Sequence, residues 1–252
     1  MFVGTSKSSI YKLGSSLGNP TLFRSGHTAS VEDIDGKDNV IVSIDKLAIL
    51  KIWVDCNLLH TLPPSSQSPN LEGRSVSYCP VSKEVIAGYS NGNVTCFDLR
   101  GTQKWEIPNT HKGGVSSLLL NNLYIITAGH DGIVRIWNRS IRNLIGQVNL
   151  HSKQITRVLV DFQKPHIFHT CSLDKQIVSY DMKLERKIKH HSVKNGLLYD
   201  MAQKRSPEFE MSKSKNQTLF LTLYSHLRVQ HSTLLLGHRC GGAHCRGLPP
   251  PS

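Results

Sequence analysis

Residues 111–137 read HKGGVSSLLLNNLYIITAGHDGIVRIW, and this stretch decides what kind of sheet the chain builds. Three short runs, Val115–Leu120, Leu123–Ala128 and Ile133–Trp137, carry the period-two apolar patterning of half-buried strands. Asn121-Asn122 turns the first run into the second, and Asp131-Gly132 is a strong hairpin signal before the third. A fourth run follows at Leu144–Val148. The same unit recurs on either side. His111, His151 and His191 lie 40 residues apart, and the aromatics Trp53, Phe97, Trp137 and Tyr180 follow one another at 44, 40 and 43 residues. Asp98, Asn138 and Asp181 each come directly after one of those aromatics. Four strands in roughly 40 residues make one blade of a β-propeller. No segment with helical spacing interrupts the series, which excludes a parallel α/β sheet.

The copies starting at His111 and His151 resemble the WD-repeat family. The resemblance rests on Ile125–Gly132 through Trp137-Asn138, and on Thr170–Asp174 through Tyr180-Asp181. With four copies in register over about residues 26–200, the chain is identified as a member of that family and as an all-β propeller. The resemblance implies a brace inside each blade. An entrance His meets the Asp of the hairpin turn, and a Ser or Thr on the second strand joins that His to the Trp of the third. The third blade supplies His111, Asp131, Thr127 and Trp137. The fourth supplies His151, Asp174 and Thr170, with Tyr180 in the Trp place. The first keeps His27, Ser43 and Trp53 but has Leu47 where the Asp belongs. The second has only Ala87, Asn91 and Phe97, with no entrance His near Leu71. In a complete brace each buried polar group satisfies the next, so losing one leaves others unpaired.

The expected organisation is a propeller over residues 1–210 and a basic, disordered tail over 211–252. Within the propeller are a partial blade at 1–25, blades at about 26–62, 71–108, 110–149 and 150–190, and a partial blade at 191–210. Phe2–Thr5, Ile10–Leu13 and Thr21–Phe23 read as second to fourth strands, while Gly196–Met201 reads as a first strand and Glu208–Glu210 as the start of a second. The two partial pieces could join into one blade and close a ring of about five. The family's usual ring of roughly seven favours instead an incomplete arc of a larger propeller. Met211–Ser252 has no acid and ends in Pro249-Pro250-Pro251, as an alternative terminal exon or a shifted frame would.

Composition narrows the function classes. Thirty Lys+Arg against 18 Asp+Glu give a net charge of +12; residues 201–252 hold 7 basic and 2 acidic residues, or +5, leaving +7 for the rest. Such a balance admits nucleic acid as a partner. No apolar run approaches the ~20 residues of a membrane span, and Met1-Phe2-Val3 leads straight into polar residues, unlike a signal peptide. Cys56, Cys79, Cys96, Cys171, Cys240 and Cys245 are too few and scattered for a disulfide scaffold, which points to a reducing, cytoplasmic setting. The tail segment His238–Cys245 has four potential zinc donors, but adjacent His244-Cys245 cannot both serve one tetrahedral ion. No metal or cofactor is therefore expected.

No nucleophile elbow, metal-binding His pair or phosphate loop occurs. His166 and His169 flank a buried strand, and Asp131, Asp174 and Asp181 occupy repeat-equivalent places, so packing accounts for them better than catalysis does. The expectation is a non-enzymatic scaffold that binds proteins or peptides through its faces, with no residue singled out as a partner contact. The segment Pro165–Lys175, continued by Tyr180-Asp181 and Glu185-Arg186-Lys187, is similar to propellers of cilia- and flagella-associated proteins. One alternative is an RNA- or ribosome-precursor-associated propeller. The basic run Lys183–His191 could serve it, although no aromatic for base stacking lies within it. Another is a ubiquitin-ligase substrate receptor, for which Arg139 after Trp137-Asn138 stands one place too early.

Overall fold

Short antiparallel strands joined by tight turns make up this protein. The computed structural model describes residues 2–5, 8–12, 21–64, 68, 70–120, 122–161, 163–193, 198, 202–203, 219–220 and 234–236, and no helix occurs among them. The N-terminal strands are β1 (Phe2–Thr5), β2 (Ser9–Lys12) and β3 (Thr21–Ser25). The first blade comprises β4 (Val31–Lys37), β5 (Val40–Asp45), β6 (Leu50–Val54) and β7 (Asn57–Leu62). The second comprises β8 (Gly73–Cys79), β9 (Glu84–Tyr89), β10 (Val94–Asp98) and β11 (Gln103–Ile107). The third comprises β12 (Val115–Leu120), β13 (Tyr124–Gly129), β14 (Ile133–Asn138) and β15 (Leu144–Asn149). The fourth comprises β16 (Ile155–Val160), β17 (Ile167–Ser172), β18 (Gln176–Asp181) and β19 (Arg186–Ser192). Three short strands remain: β20 (Ala202–Gln203), β21 (Leu219–Phe220) and β22 (Leu234–Leu236).

Each blade is a four-stranded meander in sequence order, and the first strands β4, β8, β12 and β16 stand side by side along the axis. Neighbouring sheets stack face to face, so a middle strand is buried on both sides. Of the adjacent pair Ile125-Ile126, Ile125 packs with Ile86, Val94 and Leu118 of the second–third interface. Ile126 packs with Val158, Phe168 and Val178 of the third–fourth. That is why the second strands read as continuous apolar runs and only the outer strands alternate. Burying each such side chain contributes about 1.5–3 kcal/mol.

One irregularity recurs in every blade. The pairing of first with second strand slips between Val31 and Asp33, Gly73 and Ser75, Val115 and Ser117, and Ile155 and Arg157. A bulge of this kind re-aims the residue that follows it. Here it sets Asp33, Ser75, Ser117 and Arg157 on equivalent axial positions.

Among the described residues the ends fit the incomplete arc rather than the closed ring. The N-terminal sheet has the order β22-β1-β2-β3, with Val3 opposite Leu236 and Thr5 opposite Leu234. A strand from the 211–252 segment, where no blade pattern is legible, thus occupies the first-strand place beside β1. Of Gly196–Met201 only Leu198 is described; it is buried, and its carbonyl accepts Thr156 Oγ1 at 2.7 Å. Among the described residues the sheets form an arc and do not close into a ring. Glu208–Glu210, the zinc-donor segment His238–Cys245 and the prolines at 249–251 lie outside the described residues.

Candidate functional site

The polar chemistry inside the blades comes from a few recurring positions. In the third blade Trp137 Nε1–H donates to Thr127 Oγ1 at 3.0 Å, and Thr127 Oγ1 lies 2.8 Å from His111 Nε2. His111 Nδ1 reaches Asp131 Oδ1 at 2.9 Å, and Asp131 Oδ2 accepts Arg135 at 2.8 Å. With the proton on Nδ1, the indole and imidazole N–H groups donate and the Thr127 hydroxyl donates to Nε2, while Arg135 Nη1 crowds the same Nδ1 at 2.8 Å. Burial works against ionisation of Asp131, yet the hydrogen bonds from His111 and Arg135 outweigh it and hold the carboxyl well below the usual carboxylate range. Gly129 is required beneath this chain, because a Cβ there would lie 2.3 Å from His111 Nδ1.

The fourth blade repeats the arrangement without the indole. His151 Nε2 is 2.8 Å from Thr170 Oγ1, and His151 Nδ1 is 3.0 Å from Asp174 Oδ2. The backbone N–H groups of Ser152 and Gln176 also donate to Asp174. Tyr180, in the Trp place, packs its ring 5.3 Å from that of Phe168. Burial holds His151 below the ordinary imidazole value despite the opposing pull of Asp174. Burial opposes the charge on Asp174 as well, but His151 and the backbone donors keep that carboxyl low.

The first blade corrects one reading of the sequence. His27 Nε2 meets Ser43 Oγ at 2.8 Å and Trp53 Nε1–H donates to the same oxygen at 3.0 Å, but the acid is Asp45, with Oδ2 2.8 Å from His27 Nδ1. Leu47, at the place where the other blades carry their acid, is 55% exposed, whereas Asp45 is fully buried. Residues two apart on a strand share a face, so an acid two places after Ser43 points at the same imidazole as one in the turn. Position 45 at the buried end of β5 was the available signal. In the second blade Ala87 and Phe97 join the apolar cluster shared with the first, and Asn91 Oδ1 accepts a turn bond from Asn93 N at 3.0 Å.

Two further groupings had no sequence signal. Around the axis, Asp33 Oδ2 accepts Ser75 Oγ at 2.8 Å and Val76 N at 3.0 Å, while Asp35 Oδ2 accepts Ser77 Oγ at 3.1 Å and Tyr78 N at 2.9 Å. Ser75 and Ser77 then accept from Leu118 N and Leu120 N, and Ser117 accepts from Val158 N. Arg157, on the fourth blade, reaches across the axis to Asp33 Oδ1 of the first at 3.1 Å. The second grouping is Ser179, His169 and Asp161: His169 Nδ1 is 2.8 Å from Ser179 Oγ, and its Nε2 is 3.5 Å from Asp161 Oδ2. With Ser179 only 4% exposed, this trio offers no open face to a substrate.

The residues after the aromatics cap turns. Asp98, Asn138 and Asp181 accept backbone N–H groups at Arg100, Ser140 and Lys183 respectively. Arg139 is committed to Glu84 and to the sulfur of Cys79. Burial pushes the Cys96 thiol up to about 12, far from a reactive thiolate. Among the described residues no helix is long and apolar enough to cross a membrane.

Sheets of this order, stacked face to face and braced from within, define a β-propeller, and residues 102–138 match the model of the WD domain, G-beta repeat. One repeat of the chain thus matches the WD domain model, and the fold is that of a WD40-type β-propeller. The chain is 27% identical over 147 residues to cilia- and flagella-associated protein 52 of Bos taurus, a match covering 54% of this chain and 22% of that protein. Over 117 residues it is 26% identical to Striatin-3 of Homo sapiens, covering 46% of this chain and 14% of that one. It therefore spans less than a quarter of the length of these relatives. Among solved structures, the WD40 β-propeller domain of Doa1 superposes with a TM-score of 0.71 at 10% identity, over 80% of this chain and 67% of that one. The computationally designed Ika8 protein superposes with a TM-score of 0.65 at 19% identity, over 81% and 62%. WD40 propellers generally act as non-catalytic scaffolds that bind proteins.

Proposed function

We propose that this chain is a non-enzymatic WD-repeat scaffold that holds protein partners in a cilium- or flagellum-associated assembly. The observation that supports this reading is the match of 147 residues, more than half the chain, to cilia- and flagella-associated protein 52. The brace residues His27, Ser43, Trp53, His111, Thr127, Asp131, Trp137, His151, Thr170, Asp174 and Tyr180 serve the scaffold structurally. With Asp45 added to them, they hold the blades rigid, so that loops and edges present fixed surfaces. Tagged full-length protein in ciliated cells tests the reading. Retention on axonemes after detergent extraction is the expected result, and complete release with the soluble fraction overturns it.

A further inference from the structure

The outer strands of the four blades differ in charge. β7 (NLLHTL) and β15 (LIGQVN) carry no charged residue, and β11 (QKWEI) balances Lys104 with Glu106. β19 (RKIKHHS) carries three cations and two histidines, and all seven of its residues are exposed, unlike those of the other three. Arg74, Arg135, Arg139 and Arg157 each hold a carboxylate. Among the described residues Lys183, Arg186, Lys187 and Lys189 have none within ion-pair range; the neighbouring acids are Glu185 in the preceding turn and Asp181, whose Oδ1 is taken by backbone N–H groups.

Register determines how this charge is displayed. Lys189 lies opposite Ser179 and Lys187 opposite Tyr180, with the pairing slipping between them. Ser179 and Tyr180 face opposite sides of the sheet, so the bulge at Ile188 sends Lys187 and Lys189 to opposite faces of one edge. β19 is paired on one side only, leaving its outer backbone groups as a template for another strand. Leu184 and Ile188, 58% and 43% exposed, interrupt the cations with apolar surface.

We propose that the outer edge of β19 binds an acidic, extended segment of a partner protein. The segment adds as a fifth strand of the fourth blade, its carboxylates meeting Arg186, Lys187 and Lys189. Because the cations occupy both faces, the matching sequence is a consecutive run of acids rather than an alternation of acid and apolar residues. Apolar Leu184 and Ile188, and the absence of aromatic residues for base stacking, favour a polypeptide over single-stranded RNA. This inference rests on the reading of the chain as a protein-binding scaffold.

The test uses the full chain and a labelled oligoglutamate peptide, read by fluorescence anisotropy at low salt. A single-stranded RNA of matched charge and a control reversal, Lys112→Glu with Lys153→Glu, run alongside it. Lys187→Glu with Lys189→Glu is expected to weaken peptide binding about ten-fold or more, against less than about three-fold for the control pair. Bound peptide should slow amide exchange in β19. All the substituted residues are exposed, and unchanged thermal melts confirm that each variant folds. Absence of peptide binding by the wild type, equal losses in the two double variants, or tighter binding of the RNA overturns the proposal. Axonemal retention without peptide binding removes this surface alone; peptide binding by a protein that is released from axonemes removes the ciliary reading and leaves the surface standing.

Discussion

The second and third blades pack against each other, yet they organise their buried polar groups in opposite ways. The third runs a polar chain through its own sheet, from Trp137 through Thr127 and His111 to Asp131. The second has Ala87 and Phe97 in the matching places, both in an apolar cluster, and its serines bond between blades: Ser75 and Ser77 donate to Asp33 and Asp35 of the first and accept from Leu118 N and Leu120 N of the third. A buried polar network must be complete or absent, since a partly satisfied one costs more than an apolar core. A blade without a hydroxyl at position 87 needs neither imidazole nor carboxylate beneath it. Its polar order has moved to the seam around the axis.

That contrast can be broken most forcefully at the seam. Asp33→Ala strips the acceptor from Ser75, Val76 N and Ile34 N, and removes the Asp33 carboxylate from Arg157. A loss of about 3 kcal/mol is expected in denaturant titration, with amide exchange in β8 accelerated more than in β13. If β8 keeps its protection, the seam does not hold the second blade. A reciprocal pair comes next. Thr127→Val leaves both an imidazole nitrogen and an indole N–H unpaired and should cost about 2 kcal/mol. Ala87→Thr should also destabilise, by about 1–3 kcal/mol, because its hydroxyl enters an apolar cluster with no partner. A neutral or stabilising Ala87→Thr would show that the two blades are less different than their contacts imply.

Acid separates the third blade from the fourth more gently. Burial lowers His151, so as pH drops below about 6.5 the unfolded chain binds the proton first and the fourth blade loses stability. Asp131 is depressed, so its contribution is present above the usual carboxylate range and is lost only in stronger acid. Burial lowers His169 as well as His151 in the fourth blade, against His130 in the third. Between pH 7 and 5, exchange in β17 and β18, corrected for intrinsic rates, should therefore rise more than in β13 and β14. A parallel rise in both blades would refute the distinction.

How far the sequence revealed this architecture depends on how local each constraint is. The strands of the four full blades were legible because two-sided burial forces runs such as Ile125-Ile126 between turn residues. The His–hydroxyl–acid sets of the third and fourth blades were legible because they recur at fixed spacing. Asp33 and Arg157 meet across the axis from 124 residues apart, and no local pattern marks side chains that converge only through curvature. Leu234–Leu236 pairs with β1, but three leucines without flanking alternation gave no sign of a strand. The bulge that aims the axial residues was invisible for the same reason: it is a property of pairing, not of one strand's composition.

The smallest effect is expected at Leu47, where the first blade lacks the turn acid of its neighbours. Leu47→Asp restores the family pattern, but Asp45 already meets His27 and accepts Leu47 N at 3.0 Å and Ile49 N at 2.9 Å. The new carboxylate, exposed and close to a like charge, should shift stability by no more than about 0.5 kcal/mol. Asp45→Ser, by contrast, leaves two backbone donors and the imidazole short of an acceptor and should cost about 2 kcal/mol. Combining the two substitutions sharpens the comparison among blades. Recovery of at least half the loss would mean that the strand end and the turn are interchangeable sites for the acid. No recovery would mean that the turn at 45–49 is shaped around Asp45, because a carboxylate at position 47 can reach the imidazole yet cannot accept both N–H groups that now fold back onto the strand end.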